Sequence, residues 1–343
     1  MSKVSLVCGN NRFLNIYRSL ELIQDDLPFF RSAKKIIIKP NLTGRTIALA
    51  NTHPSAVCAV IEYINDNFPG VAGREFILLE GSGEAHYGRS RTLDVFKRFG
   101  FLALLSKYSN LKIETIETEE EFIPVPIETI NGPASVRLST AVRHADCLIS
   151  LALPKTHDVV IFTGGIKNLM GLLHQADKSL MHGTGNSKNT GGLLSLVKNT
   201  FPSGILELGQ RILPVGLKGI IVGGNSTDYL RSVALLNRNL VSLAKSVRPN
   251  LTVLDGFTAM EGDGPVYGRP LDMRVALSST DSLKVDCLGA RLLGFNPEEI
   301  GYLNYLSREN FGDSSTDGLV GENWEDVLVH CRPHRKYEWQ KNW

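Results

Sequence analysis

The stretch CLISLALPKTH, residues 147–157, is an apolar run that ends at a proline and is followed by polar side chains. Short apolar runs rich in β-branched residues are typical of strands buried on both faces of a sheet. Four other segments have the same form, each ending in a polar or glycine-rich turn: residues 35–38, 76–79, 219–222 and 251–254. These five segments predict a sheet of buried strands.

Helical patterns lie between the predicted strands. Residues 54–67, 92–107 and 229–247 have apolar residues spaced three and four apart, and Pro54 suits the first turn of a helix. Alternating strands and helices predict an α/β fold of mostly parallel sheets with helices on both faces. We expect two lobes, 1–205 and 206–343, with a break near the prolines at 202 and 214.

Composition narrows the class of protein. The chain has 343 residues, of which 43% are hydrophobic and 21% charged, and its formal net charge is +2. These values exclude wholesale disorder, and the charge balance gives no case for binding nucleic acid or membranes. The start of the chain, MSKVSLVCGNN, predicts a first strand rather than a signal peptide.

The cysteines indicate the redox environment. There are five, they are scattered, and no two are spaced as Cys-x-x-Cys. This pattern favours reduced thiols in the cytoplasm and argues against an iron–sulfur cluster within the chain.

Polar side chains follow the predicted strands at their carboxyl ends. Asn41, Glu84, His157 and Asp255 each come shortly after such a run. In open α/β sheets, ligands bind outside the carboxyl ends of the strands. We therefore expect these four residues to share one edge of the sheet.

The segment 153–183 contains the densest set of candidates. The Gly164-Gly165 turn opens a helix, where free N–H groups suit a phosphate or carboxylate. Lys167 offers a positive charge or a covalent anchor, and Asn168 follows it. His157 and His182 flank this turn as candidate acid/base groups or metal ligands, whereas His174 is a better candidate for a structural role. A hydrogen-bonded turn histidine and a solvent-facing helix lysine are the alternatives for His157 and Lys167.

Three further segments carry candidates for binding or catalysis. Lys39 and Asn41 could hold a carboxylate or phosphate, with ordinary Pro-Asn turn chemistry as the alternative. Glu84 and His86 follow a glycine turn and could supply an acid or a base. Asp255 and Glu261 lie in a stretch, 255–265, that predicts a flexible acidic loop able to bind Mg²⁺ or cover a substrate, or else a plain surface loop. Two other residues suit helix starts: His53 and Asp286.

The motifs together resemble a known family. KPNL at 39–42, THPSAV at 52–57, LPKTH at 153–157, GGIKNLMG at 164–171 and DGFTAMEGDGP at 255–265 are similar to those of the domain of unknown function 362 (DUF362) family. Members often carry a four-iron ferredoxin module, and this chain lacks the cysteines to build one.

A more distant resemblance links residues 144–183 to the nickel-pincer lactate racemase family. It implies that His157 is a catalytic acid/base, that Lys167 tethers the pincer nucleotide and that His182 binds nickel. Lys39 and Asn41 fall where that family binds substrate, and Glu84 and His86 fall near the turn that carries its other catalytic histidine.

These features predict an enzyme of the racemase or epimerase kind, or an oxidoreductase. It would move a proton or hydride on a small hydroxy or carboxylate substrate, with a bound cofactor such as the pincer nucleotide or a divalent metal. Two alternatives stay open: a cofactor- or metal-binding protein without turnover, and a redox partner of a separate iron–sulfur protein. A homodimer also stays open.

Overall fold

The computed structural model describes residues 2–44, 46–83, 88, 90–183 and 226–343. Its strands are β1 (Val4–Cys8), β2 (Lys35–Lys39), β3 (Glu75–Glu80), β4 (Leu111–Thr115), β5 (Phe122–Thr129), β6 (Gly132–Ser139), β7 (Cys147–Ala152), β8 (Lys155–His157), β9 (Ile161–Thr163), β10 (Leu251–Glu261), β11 (Arg269–Ser279) and β12 (Leu319–Gly321). Its α-helices are α1 (Arg12–Glu21), α2 (Pro54–Asn67), α3 (Thr92–Arg98), α4 (Leu104–Lys107), α5 (Gly165–Asn168), α6 (Lys178–Met181), α7 (Ser226–Ser246), α8 (Ser282–Leu292), α9 (Gly301–Arg308), α10 (Trp324–Val327) and α11 (Tyr337–Gln340).

In the described residues, ten of these strands form one mixed sheet in the order β12-β1-β11-β10-β7-β2-β3-β4, with β8 added beside β10 and β9 beside β8. The strands from β10 through β7, β2 and β3 to β4 pair in parallel, and β11 runs antiparallel to both of its neighbours. Strands β5 and β6 form a separate hairpin. The α/β fold predicted from the sequence is confirmed.

Alternation along the central strands explains the burial of both faces. In β2, Ile36 and Ile38 belong to one apolar cluster and Ile37 to the other. Successive side chains of a strand point to opposite faces, so a continuous apolar run serves both clusters. Helices α1, α2 and α3 supply buried residues to the first cluster, and α7, α8 and α9 supply them to the second.

The predicted helices are confirmed in two cases and divided in the third. Helix α2 spans 54–67 as predicted, and the ring of His53 caps it by accepting a hydrogen bond from the Ser55 N–H at 3.1 Å. The predicted helix at 229–247 is α7. The predicted helix at 92–107 is split into α3 and α4, because Gly100 between them has a φ of +82°, a left-handed conformation outside the helical range.

The stretch 255–265 differs from its prediction. Instead of a loop, residues 255–261 continue β10 as one arm of a long hairpin with β11, and the pairing register shifts between Gly256 and Thr258. The mixture of polar and small residues in 255–261 hid this strand, which pairs with the next strand along the chain. Glycine and aspartate are depleted in strands, so local preference indicated a loop here.

The predicted strand at 219–222 and the boundary between residues 205 and 206 lie outside the described residues, so the two-lobe division stays a prediction. Strands from both sides of that boundary, such as β2 and β10, belong to the same sheet. Across the described ranges, no helix combines the length and the apolar character needed to cross a membrane.

Candidate functional site

The carboxyl ends of the parallel strands β2, β3 and β7 bring lysines and one glutamate together. Lys39 ends β2, Glu80 ends β3, and Lys155 begins β8 just after β7. Two more lysines come from short helices at the same edge: Lys167 in α5 and Lys178 in α6. We call Lys155, Lys167 and Lys178 the lysine cluster.

Lys39 and Glu80 form a buried ion pair inside this edge. The Lys39 Nζ lies 2.5 Å from Glu80 Oε2 and also donates to the Pro40 carbonyl at 2.5 Å and to Asn168 Oδ1 at 3.0 Å. Burial lowers the pKa of Lys39 and raises the pKa of Glu80, and their mutual attraction opposes both shifts. Three acceptors use all three ammonium protons, so a substrate would have to replace one of them, and the substrate contact of Lys39 stays a prediction.

Asn168 completes the same network. Its amide donates to the Lys39 carbonyl at 3.0 Å and to Ser150 Oγ at 3.1 Å, while its oxygen accepts from the Lys39 ammonium. Gly171 lies against this pair, where a Cβ would collide with Glu80 Oε1. The polar atoms of Asn168 thus have partners within the protein, and its contact with a cofactor stays a prediction.

Lys155 has a different environment. Its Nζ is buried, and its hydrogen-bond partners among the described residues are neutral oxygens: Thr43 Oγ1 at 3.1 Å, the Ala50 carbonyl at 3.2 Å and Asn41 Oδ1 at 3.4 Å. Burial, followed by repulsion from Lys167, lowers the pKa of Lys155 to about 7. Asn41 is therefore placed as predicted, at the sheet edge beside a cation.

Lys167 and Lys178 share this character. Lys167 Nζ lies 3.3 Å from the Met170 sulfur, and Lys178 Nζ donates to the carbonyls of Gly81 and Ser82. Burial lowers the pKa of each lysine to about 8, and in each case a nearby carboxylate opposes the shift. The lysine cluster thus places three amines with depressed pKa values at one edge of the sheet.

His157 lies beside the cluster, at the end of β8. Its Nδ1 accepts a hydrogen bond from the Val159 N–H at 2.9 Å and lies 3.1 Å from Asp158 Oδ1. Burial holds the pKa of His157 well below its usual value, and the charge of Lys167 adds to this effect. The ring is therefore neutral at physiological pH. Its backbone carbonyl accepts from Gln340 Nε2 at 2.7 Å, which ties the C-terminal residues to this turn.

The Gly164-Gly165 turn does bind an anion, but the anion belongs to the protein. The N–H groups of Gly165 and Ile166 donate to the Asp286 carboxylate at 2.6 and 3.0 Å. A Cβ on Gly164 would collide with Asp286, and one on Gly165 would collide with Thr252, which explains the paired glycines. Asp286 is in the middle of α8 rather than at its start, which corrects its predicted position.

We expect the Asp286→Asn substitution to lower the free energy of unfolding by about 1–3 kcal/mol. The asparagine keeps one acceptor oxygen, so one of the two N–H donors is left buried without a partner. Chemical denaturation at pH 8 measures the change, since burial raises the pKa of Asp286 to about 7 and the carboxylate is ionised there. Asp272→Asn, in an exposed pair with Arg274, serves as the control, and an equal loss in both variants would contradict this account.

Asp255 and Glu261 are bound by other parts of the chain. Asp255 is buried in an ion pair with Arg12, with its Oδ2 at 3.0 Å from Arg12 Nε. Glu261 Oε2 accepts from the Arg332 N–H at 2.8 Å. Their predicted roles in substrate binding stay predictions, and each carboxylate already has a protein partner.

Two predicted catalytic residues, Glu84 and His86, lie outside the described residues. His182 follows α6, and its charge contributes to lowering the pKa of His157. Sequence reasoning gave no role to Lys155, Lys178 or Asp158. The available signal was the position of Lys155 directly after a buried strand, in the same LPKTH motif as His157.

Comparisons with known proteins give one family and two individual likenesses. The family model described as "Domain of unknown function (DUF362)" matches residues 36–291. The chain is 25% identical over 314 residues to Thylakoid-associated protein sll1697 of Synechocystis sp., covering 88% of this chain and 79% of that protein. The lactate racemase apoprotein from Thermoanaerobacterium thermosaccharolyticum aligns with a TM-score of 0.43 and 14% identity over 75% of this chain. The chain spans about half of that racemase's length, 50%.

Proposed function

The chain belongs to the family described as Domain of unknown function (DUF362), and from this premise and the chemistry of the site we propose that it is an enzyme acting on a small carboxylate, in particular a 2-hydroxy acid. The reaction we propose is a proton or hydride transfer assisted by a bound cofactor, of the racemase or epimerase kind. The observation that carries the proposal is the lysine cluster next to His157, in which Lys155 and Lys178 are buried and Lys167 is partly buried. Among the described residues, the hydrogen-bond partners of these three amines are neutral oxygens and a thioether.

An anion is the ligand that this charge distribution favours. Burying ammonium groups near one another costs free energy, and the depressed pKa values of Lys155, Lys167 and Lys178 express that cost. Two carboxylates near the cluster offset part of this cost: Asp158 acts on Lys167, and Glu80, which acts on Lys155 and Lys178, is itself ion-paired with Lys39. A carboxylate bound among these lysines would remove the repulsion, so its binding is favoured by the cluster as a whole.

His157 supports acid/base chemistry through two hydrogen-bonding patterns. With its proton on Nε2, Nδ1 accepts from the Val159 N–H; with its proton on Nδ1, the ring can donate to Asp158 Oδ1. In the first pattern Nε2 carries the proton, and in the second it has a free lone pair. A neutral imidazole that exists in both tautomers can give or take a proton at a substrate atom.

Lys167 is the residue we propose as the cofactor anchor. Its amine has the Met170 sulfur as its hydrogen-bond partner, and a lysine with a pKa of about 8 is nucleophilic near neutral pH. Among the described residues, no three His, Cys, Asp or Glu side chains are grouped to hold a metal ion. These residues therefore fit a cofactor attached to Lys167, with His182 as the one protein ligand of its metal, better than a metal ion held by protein side chains alone. A cofactor of this kind would supply a hydride acceptor, which a 2-hydroxy carbon needs because its hydrogen is too weakly acidic for a lone base.

Incubation of a single enantiomer tests this proposal. The chain purified from its own source is mixed with L-lactate and, separately, with longer L-2-hydroxy acids, and chiral chromatography follows the products. We expect the opposite enantiomer or the corresponding 2-oxo acid to appear, and the Lys167→Ala variant to form neither. Binding of these acids without conversion would favour a ligand-binding protein instead, and absence of both binding and conversion would overturn the proposal.

A further inference from the structure

We propose that Lys155 binds the carboxylate of the ligand, and that binding increases the fraction of this lysine that carries a proton. The inference rests on the proposed function, since it assigns the residue that contacts the anion. It assigns the anion contact to a lysine of the LPKTH motif that sequence reasoning gave no role.

The first support is the contrast between two buried lysines at one sheet edge. Lys39 has a carboxylate partner at 2.5 Å, and its other two contacts are 2.5 and 3.0 Å long. Lys155 has contacts of 3.1 to 3.4 Å, all with neutral oxygens. Charge-assisted hydrogen bonds are shorter and stronger than neutral ones, so Lys155 gains more than Lys39 from a new carboxylate.

The second support is the access to Lys155. Two of its three acceptors, Asn41 and Thr43, are partly exposed and follow β2 at the sheet edge where ligands of α/β proteins bind. Asn41 Oδ1 is the weakest acceptor, at 3.4 Å, and it also accepts from Thr43 Oγ1 at 3.2 Å. A ligand carboxylate can therefore replace Asn41 at Lys155 while Asn41 keeps another donor.

The third support is the charge that faces Lys155 from each neighbouring element. Lys167 in α5 and Lys39 in β2 lower its pKa, and Glu80 in β3 raises it. His157, on the same strand, is neutral and adds no charge. Because Glu80 is already paired with Lys39, the net field at Lys155 disfavours its proton until an anion arrives. With a pKa of about 7, Lys155 is only partly protonated in the free protein at neutral pH.

In the ligand-free protein, folding weakens the hold of Lys155 on its proton. In the unfolded chain Lys155 has the ordinary lysine pKa of 10.5, and in the folded protein it is lowered. The unfolded state therefore binds more protons between about pH 7 and pH 10, and stability rises with pH through that range. Below pH 7 the folded protein holds a buried, uncompensated cation, which the Lys155→Met substitution removes.

Thermal unfolding of the full chain at pH 6.5 and pH 9 tests the proposal, with sodium L-lactate, sodium phosphate and sodium chloride compared at equal ionic strength. For each pH, the change in Tm that Lys155→Met causes is measured without lactate. We expect this change to be about 2–4 °C more positive at pH 6.5 than at pH 9. With lactate, we expect the wild-type Tm to rise above its value in chloride, and the rise to be lost in Lys155→Met. Lys155→Arg, which keeps the charge, should retain most of the rise.

The control and the contrary outcomes separate this proposal from the proposed function. Lys112→Met removes an equal charge from an exposed pair with Glu75, and its response to lactate should equal that of the wild type. A lactate response that persists in full in Lys155→Met would overturn this inference and leave the proposed function standing. If neither lactate nor phosphate raises the wild-type Tm above its value in chloride, both this inference and the proposed function are overturned. If phosphate alone raises it, the ligand class is a phosphate ester rather than a carboxylate, and the assignment made here is overturned.

Discussion

Replacement of His157 by Gln is expected to lower the rate of conversion of a 2-hydroxy acid by about 10²- to 10⁴-fold. That is the range in which a positioned acid/base group contributes to proton transfer. Gln can still accept a hydrogen bond from the Val159 N–H, which the His157 ring accepts at 2.9 Å, so the turn should keep its shape. It cannot alternate between a protonated and an unprotonated nitrogen.

The pH profile gives this prediction a second readout. Burial and the charge of Lys167 keep the pKa of His157 well below 6.5, so wild-type activity should not decline between pH 7 and pH 6 through protonation of the ring. On the alkaline side it should decline as Lys155, the residue proposed to hold the carboxylate, loses its proton.

A matched histidine serves as the control for His157. His144→Gln changes an exposed histidine that follows β6, and it should leave conversion unchanged. If His157→Gln keeps full activity, His157 has a structural role and the proton is moved elsewhere. Binding of lactate, measured separately, should survive in His157→Gln, since the lysine cluster is intact in that variant.

The Lys39→Met substitution is expected to lower the free energy of unfolding by about 3–5 kcal/mol. It leaves the Glu80 carboxylate, which is buried and 2.5 Å from the lysine in the wild type, without its partner. The loss should be measured by chemical denaturation at pH 8, where an unpaired Glu80 has the strongest tendency to remain charged. At lower pH the loss should shrink, because burial already raises the pKa of Glu80 and protonation relieves the penalty.

The double variant Lys39→Met with Glu80→Gln tests the cause of this loss. Removing both charges should restore much of the stability, since replacing a buried pair by neutral groups costs less than breaking it. Lys112→Met breaks an exposed pair with Glu75 and should change stability much less than Lys39→Met does. Equal losses in Lys39→Met and in the double variant would show that packing, rather than the unpaired charge, explains the effect.

The sheet could be predicted well from the sequence because each of its central strands is a short apolar run that can be recognised without its neighbours. Three consecutive isoleucines in β2 supply both apolar clusters, and the same pattern occurs in β3 and β7. For β10 the sequence predicted the strand at residues 251–254, and the prediction failed beyond them, where Asp255 and Gly256 interrupt the apolar run. What keeps that segment in a strand is its ladder with β11, a tertiary contact that local preference does not record.

Prediction of the site was limited by partners distant in sequence. The Gly164-Gly165 turn was correctly recognised as an anion-binding turn, but its anion is Asp286, some 120 residues away. Lys39 and Lys155 are both lysines at strand ends, and only their neighbours tell them apart: Glu80 for the first and neutral oxygens for the second. Which groups surround each lysine depends on how the strands are arranged in the sheet, and the spacing of residues along the chain does not reveal that arrangement.

A crystal structure of the chain grown with L-lactate tests the central claim most directly, because the claim places a small carboxylate at the lysine cluster. The account predicts density for lactate with its carboxylate within hydrogen-bonding distance of Lys155 Nζ and with its C2 atom facing His157 Nε2. Crystals that bind lactate at another surface, or that leave Lys155 on Asn41 and Thr43 at saturating lactate, would contradict it.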